Sequence, residues 1–199
     1  MNTTPPHQIR AVFDASTITV YQAFRPEIAR PAVAVGRFVP PFGMGRMTWI
    51  KPSFLWMMYR CGWATKPGQE HVLAIRMTRT GFEEALSEAA LSHFDSSVHA
   101  DKDAWRKQVS DSPVRVQWDP ERTPSGAALP YRSLQVGLSG NAVQRYVDDW
   151  VVEIADITDD VRKWHPLAAS DPSVLPQELP YPLPARIAAR IGADTHSKE

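Results

Sequence analysis

The 199-residue chain carries 22 basic and 22 acidic side chains, so its formal charge is zero, and 43% of it is hydrophobic. Those figures exclude disorder and fit one domain, with or without an extension, and they exclude attachment to nucleic acid by bulk charge, leaving only a local basic groove open. The single cysteine, Cys61, excludes an internal disulfide framework and any all-cysteine metal site, and fits a reducing compartment.

The opening MNTTPPHQIR has no apolar h-region, and no run of about 18 apolar residues follows. Neither a secretory signal nor a membrane span is expected, and the cytoplasm is the expected location. Residues 9–13 are a short apolar run, and 14–16 a turn. Residues 18–24 alternate and are β-branched, as a strand requires. Pro26 suits the first turn of a helix over 26–35, Pro31 should kink it or end its first part, and Gly36 is placed to cap it. Residues 38–46, FVPPFGMGR, read as a loop. A strand over 47–51 follows, and Ser53 can cap a helix over 54–63.

A turn at 66–68 leads to a strand over 71–77. Thr80 is placed to cap a helix over 81–91, whose Phe82, Ala85, Leu86 and Ala89 share one face. After a loop at 93–99, Asp101 opens a helix to about residue 109. Strands over 114–118 and 131–138 flank a long loop at 119–130. Ser139 is expected to cap a helix over 140–149, before a strand over 150–157 and a helix over 158–164 opened by Thr158. Residues 166–184 hold six prolines and read as an extended tail lying on the surface or disordered. Residues 185–191 fit one or two helical turns. These elements predict an α+β domain over 1–165 with a mixed, largely antiparallel sheet, and a Pro-rich C-terminal extension over 166–199. Seven tryptophans suit a core of bulky side chains.

No phosphate loop, dinucleotide fingerprint, His-Glu-x-x-His or Gly-x-Ser-x-Gly is present. His93, Asp95 and His99 form either a capped loop or a metal site of unfamiliar spacing. Cys61 reads as a buried, inert thiol. The stretch 18–63 holds Arg25, Arg30, Arg37, Arg46, Lys51 and Arg60 against one acid, Glu27. Such a set either binds a phosphate-bearing ligand or is a solvated face paired with acids elsewhere. On the 131–138 strand, Ser133 and Gln135 share a face opposite Arg132; Gln135 is either a structural hydrogen-bonder or a site group.

IRAVFD, VYQAFRPEIA, FVPPF, RMTWIKPSFLWMMYR, LSHFDSSVH, SPVRVQWDPER and PYRSLQVGLSG together resemble the family called domain of unknown function 4291 over roughly 8–165. That resemblance implies no activity. A remoter resemblance is to ADP-ribosyltransferases. Val20-Tyr21-Gln22-Ala23-Phe24 stands at the position of their Tyr-His-Gly-Thr strand, 47–51 at the position of their Gly-Ile-Tyr-Phe-Ser strand, and Gln135 at their third, Glu or Gln, position. Gln22 replaces His, Ala23 replaces Gly and Trp49 replaces the stacking Tyr. The resemblance implies a split-sheet α+β fold with NAD as substrate, no metal, and transfer of ADP-ribose to a protein, nucleic acid or small molecule. It implies a catalytic set of Gln22, Trp49 and Gln135, with Arg10, Tyr21, Arg25, Arg46, Lys51, Ser53, Tyr59 and Arg132 around the dinucleotide. The alternative is a non-catalytic nucleic-acid or nucleotide-binding module using the basic stretch 25–60; a structural domain without a small ligand is the third.

Overall fold

The first strong pairing joins β2 (Thr17–Phe24) to β4 (His71–Thr78), antiparallel along its whole length, with Val20 opposite Ile75. β4 in turn pairs antiparallel with β8 (Val151–Asp156), giving the three-stranded order β2-β4-β8. A second sheet runs β3-β7-β6-β5, built from β3 (Thr48–Ile50), β5 (Ala90–Leu91), β6 (Val114–Arg122) and β7 (Ala128–Leu138). Its members pair antiparallel except β5 with β6. The two sheets meet at a single bridge, where Tyr21 and Lys51 exchange both backbone hydrogen bonds at 2.7 and 3.3 Å. These observations come from a computed structural model that describes residues 4–194. They establish the expected α+β architecture with largely antiparallel sheets.

Helices pack on both sheets. They are α1 (Pro26–Val35), α2 (Phe54–Cys61), α3 (Arg79–Glu88), α4 (Lys102–Asp111), α5 (Asn141–Arg145), α6 (Thr158–Trp164) and α7 (Ala185–Ile191). α1 begins with Pro26 and is closed by Gly36 at φ +76°. Pro31 does not end it. Pro31 removes one intrahelical bond, and burial of Ala29 and Ala32, both fully enclosed, outweighs that loss. Ser53 caps α2 by accepting from the Trp56 N–H, and Asp101 caps α4.

Other boundaries move for physical reasons. β4 runs on to Thr78, so Thr78 rather than Thr80 caps α3, accepting from the Gly81 N–H at 3.1 Å. α3 then stops at Glu88 because Ala90 and Leu91 add to β6 as a short parallel strand. Ser139 does not cap α5; its hydroxyl donates to the Pro113 carbonyl at 2.7 Å. α5 widens into a π-helical turn, Tyr146–Trp150. The expected 119–130 loop is mostly hairpin: β6 extends to Arg122, and only 123–127 turn, with Gly126 at φ +87°. Pro120 is tolerated because β5 covers only Arg115 and Val116, leaving β6 an edge strand with a register shift beyond Pro120.

The Pro-rich segment is neither loose nor disordered. Leu179 and Pro180, β9, pair antiparallel with β1 (Arg10–Ala11), and Tyr181, Ile187 and Ile191 are buried in the main core. Spaced apolar side chains override a composition that by itself suggests a solvated tail. Pinning this segment, the Glu178 carboxylate accepts from the Phe54 N–H at 2.6 Å at the start of α2, and Arg10 donates to the Glu178 carbonyl at 2.9 Å.

Burial, and then the charge of Glu121, push the Glu178 carboxyl from the ordinary 4.5 up to about 8. The unfolded chain ionises first, so stability falls as pH rises from about 4.5 to about 8. Glu178→Gln keeps the acceptor oxygen and removes the titration. Denaturant midpoints at pH 5 and pH 8 are expected to differ less in the variant, and its midpoint at pH 8 to exceed that of the wild type.

Candidate functional site

A cavity of about 580 Å3 opens beside the junction of the two sheets. The end of β2 supplies Gln22 to Phe24, the start of α1 supplies Arg25, and the loop before β3 supplies Phe42 and Arg46. β3 and its extension supply Trp49 and Lys51, α2 supplies Met57 and Arg60, and β7 supplies Gln135. Four of the six cations of the basic stretch therefore line one cavity, and no acidic side chain does. Arg25 has a loose, exposed pairing with Glu27 at 3.8 Å. Among the described residues Arg46, Lys51 and Arg60 form no ion pair within 4.0 Å.

Trp49 owes its position to Gly137, its direct partner on β7. A Cβ at residue 137 would lie 3.0 Å from the indole and 2.8 Å from the Met47 sulfur. Only glycine lets the indole lie across the strand.

Gln22 is 3% exposed and fully engaged by the protein. Its Nε2 donates to Thr48 Oγ1 at 2.7 Å and to the Trp49 carbonyl at 3.2 Å, and its Oε1 accepts from the Tyr146 hydroxyl at 2.9 Å. Gln22 thus ties β2, β3 and the π-helical turn together beneath the cavity. Burial holds the Tyr146 phenol protonated, which keeps that donor in place.

Gln135 is half-buried, and its Nε2 donates to Asp119 Oδ2 at 2.5 Å; Gln117 donates to the other carboxylate oxygen at 2.9 Å. Asp119 is therefore clamped between two amides on the sheet face that also carries Trp49. Continuing the β3–β7 register by one step sets Lys51 opposite Gln135. Lys51 is 6% exposed, and its amine donates to the Trp49 carbonyl at 3.2 Å. Burial, then the like charge of Arg60, bring the amine down to about 8; Cys61 and Asp119 oppose that shift.

Gln22, Trp49 and Gln135 thus converge on the same cavity as Arg25, Arg46 and Lys51. The other expected site residues lie elsewhere. Tyr21 packs in a separate hydrophobic cluster around α2, edge-on to Phe54 at 5.5 Å. Ser53 caps α2 and hydrogen-bonds the Glu121 carboxyl. Arg10 serves the 175–181 segment, with its Nη1 on Gln8. Tyr59 points outward, stacked on Trp56 at 5.3 Å, with the Arg122 guanidinium 3.9 Å from its ring centre. Arg132, on the opposite face from Gln135, donates to the Trp118 carbonyl and borders a separate cavity of about 380 Å3. Period 2 along β2 and β7, and the spacing along α2, separate these side chains from their neighbours.

Sequence reading missed Asp119 and Tyr146, which hold Gln135 and Gln22. Asp119 was hidden in an expected loop, and Tyr146 in an expected regular helix; Gln69, also on the cavity wall, carries no periodic signal. Asp95 caps its own loop, accepting from the Ser97 N–H at 2.8 Å, while the His99 Nδ1 lies 3.0 Å from the Asp95 carbonyl. Among the described residues no three such side chains are placed to hold a metal ion, and no helix is long and apolar enough to cross a membrane.

No curated protein matches the chain. A family model does, over residues 8–181, a span that includes every residue lining the cavity and extends past β9 to the buried Tyr181. The chain belongs to that family, the domain of unknown function DUF4291.

Proposed function

We propose that the cavity binds an NAD-type dinucleotide and that the protein is an ADP-ribosyltransferase-like enzyme, cleaving the nicotinamide–ribose bond and passing ADP-ribose to an acceptor. The observation that carries this reading is the convergence of Gln22, Trp49 and Gln135, far apart in sequence, on one cationic cavity. A split pair of sheets, with Trp49 and Gln135 on neighbouring strands of one of them, supports it. In this reading Trp49 stacks on the nicotinamide ring, Arg25, Arg46 and Arg60 neutralise the diphosphate, and Gln135, held by Asp119, orients the reacting ribose. Gln22 acts by fixing β2 against β3, since its polar atoms already have partners. The reduced Cys61 and an NAD substrate suit a cytoplasmic setting.

The test is NAD turnover together with a thermal-shift screen of NAD, NADP, ADP-ribose and ATP. NAD at one hundred times its Kd stabilises the fold by about 2.7 kcal/mol. Gln135→Ala is expected to abolish turnover with the melting temperature of the unliganded protein nearly unchanged. Absence of any dinucleotide-induced shift overturns the reading.

The four cations on a cavity wall without acidic side chains also favour a second reading, a non-catalytic nucleotide- or nucleic-acid-binding module. That module binds oligonucleotides with a steep salt dependence and consumes no NAD.

A further inference from the structure

A buried lysine ordinarily finds a carboxylate, because an unpaired ammonium away from water is costly. Lys51 has none within 4.0 Å among the described residues. Among the described residues its amine hydrogen-bonds the Trp49 carbonyl, and it lines a cavity whose other charged groups are the arginines 25, 46 and 60. If that position served only to attract an anion, an arginine would do so with two parallel donors and a permanent charge. A lysine offers something an arginine does not, an amine that can release its proton and act as a nucleophile.

We infer that Lys51 is a covalent site for a phosphorylated aldehyde, whose phosphate is held by the cavity arginines and whose carbonyl carbon forms an imine with the Lys51 amine. The inference does not depend on NAD cleavage. It needs only the cationic cavity and the unpaired amine. ADP-ribose, whose ribose opens to an aldehyde, belongs to the same chemical class as a simple sugar phosphate.

The step balances without a further reactant. The neutral amine's lone pair adds to the carbonyl carbon, and the proton lost by nitrogen passes to the carbonyl oxygen. The remaining N–H proton of the carbinolamine then passes to that oxygen, which leaves as water as the nitrogen lone pair forms the carbon–nitrogen double bond. The lowered basicity of the amine, about 8, leaves an appreciable neutral fraction near neutral pH. Gln135 lines the same cavity, held there by Asp119, so its amide can orient the carbonyl toward the amine. The volume of about 580 Å3 accommodates a sugar phosphate or a nucleotide sugar.

The experiment uses pyridoxal 5′-phosphate as an aromatic phosphorylated aldehyde, trapped with borohydride and located by peptide mass mapping. Borohydride delivers a hydride to the imine carbon and leaves a stable secondary amine. The expected result is one principal adduct at Lys51, formed at sub-stoichiometric probe and suppressed by inorganic pyrophosphate. Pyridoxal lacking the phosphate should label about tenfold less, the loss expected when one charge-assisted contact goes. Lys51→Arg should keep the fold and lose that adduct.

Labelling spread over surface lysines such as Lys66, Lys107 and Lys163, without preference for Lys51, overturns the inference. So does a Lys51→Arg protein labelled as fast as the wild type. If Lys51→Arg fails to fold, the wild-type peptide map and the pyrophosphate competition decide alone. A Lys51 adduct in a protein that ignores NAD sustains the inference and removes the NAD reading. NAD turnover with no Lys51 adduct does the reverse.

Discussion

Arg60→Glu is expected to weaken pyrophosphate or ADP-ribose binding about a hundredfold, roughly 2.7 kcal/mol, the worth of one or two charge-assisted bonds. Arg60 is exposed, lines the cavity and has no ion-pair partner among the described residues. Its removal therefore leaves no unpaired buried group. A glutamate in the last turn of α2 opposes the helix dipole by about 0.3–1 kcal/mol, a small debit against stability. Removing a cation beside Lys51 works the other way on the fold. The melting temperature without ligand should hardly change, while the ligand-induced shift disappears. The variant has a second signature. Arg60 is the leading charge that lowers the Lys51 amine. Replacing it with an anion favours the ammonium, so the amine should titrate above 8 and aldehyde labelling at pH 7 should slow. A pH profile of labelling rate measures that shift independently of affinity.

Gly81→Ala is expected to destabilise the protein severely, against the usual sign for such a change in a helix. Replacing glycine by alanine inside a helix ordinarily gains up to about 1 kcal/mol. Here a Cβ would fall 2.3 Å from Trp150 Cγ and 2.8 Å from Trp150 Cβ. The second of those atoms is attached to the backbone of the π-helical turn, so no rotamer change relieves the overlap. Trp150 is 4% exposed and is covered by the Arg145 guanidinium, 5.0 Å from its ring centre. Arg145 is in turn ion-paired with Glu84 and Glu88 of α3. Overpacking costs about 1–3 kcal/mol, sometimes more, so the clash exceeds the propensity gain. At about 2–4 °C per kcal/mol for a chain of this size, the melting temperature should fall by several degrees, with a change in near-ultraviolet tryptophan signal. The same turn carries Tyr146 to Gln22, so ligand binding should weaken as well.

The strands were legible where one period dominated. The β-branched run of β2 and the apolar run of β4 marked strands, and Ser53 and Asp101 announced α2 and α4. Reading failed where tertiary packing overruled a local signal. Pro31 sits in an unbroken helix because alanines beside it are buried. Pro120 sits in a strand because that strand is an edge. The proline-rich segment is ordered because the burial of Tyr181, Ile187 and Ile191, not its average composition, decides its fate. For the cavity, charge density marked the stretch that supplies most of its wall, and the distant Gln135 reaches it from its strand. What remained hidden was the support. Asp119 holding Gln135, and Tyr146 holding Gln22, are partnerships between segments far apart in sequence, and no spacing rule encodes them. Tyr21, Ser53, Tyr59, Arg10 and Arg132 lie off the cavity wall for the converse reason. Proximity in sequence along a strand or helix does not keep side chains on one face.

The pairing of β1 with β9 ties residue 10 to residue 180, and the Asp194 N–H reaches the His7 carbonyl at 3.0 Å. On the ribosome, therefore, an early strand waits for its partner until nearly all the described sequence has emerged. Until then the apolar surface destined for Tyr181, Ile187 and Ile191 stays open to water. Closure of the core therefore waits on residues 179–191: a polypeptide released before residue 180 lacks the piece that seals it and presents that surface to chaperones and proteases.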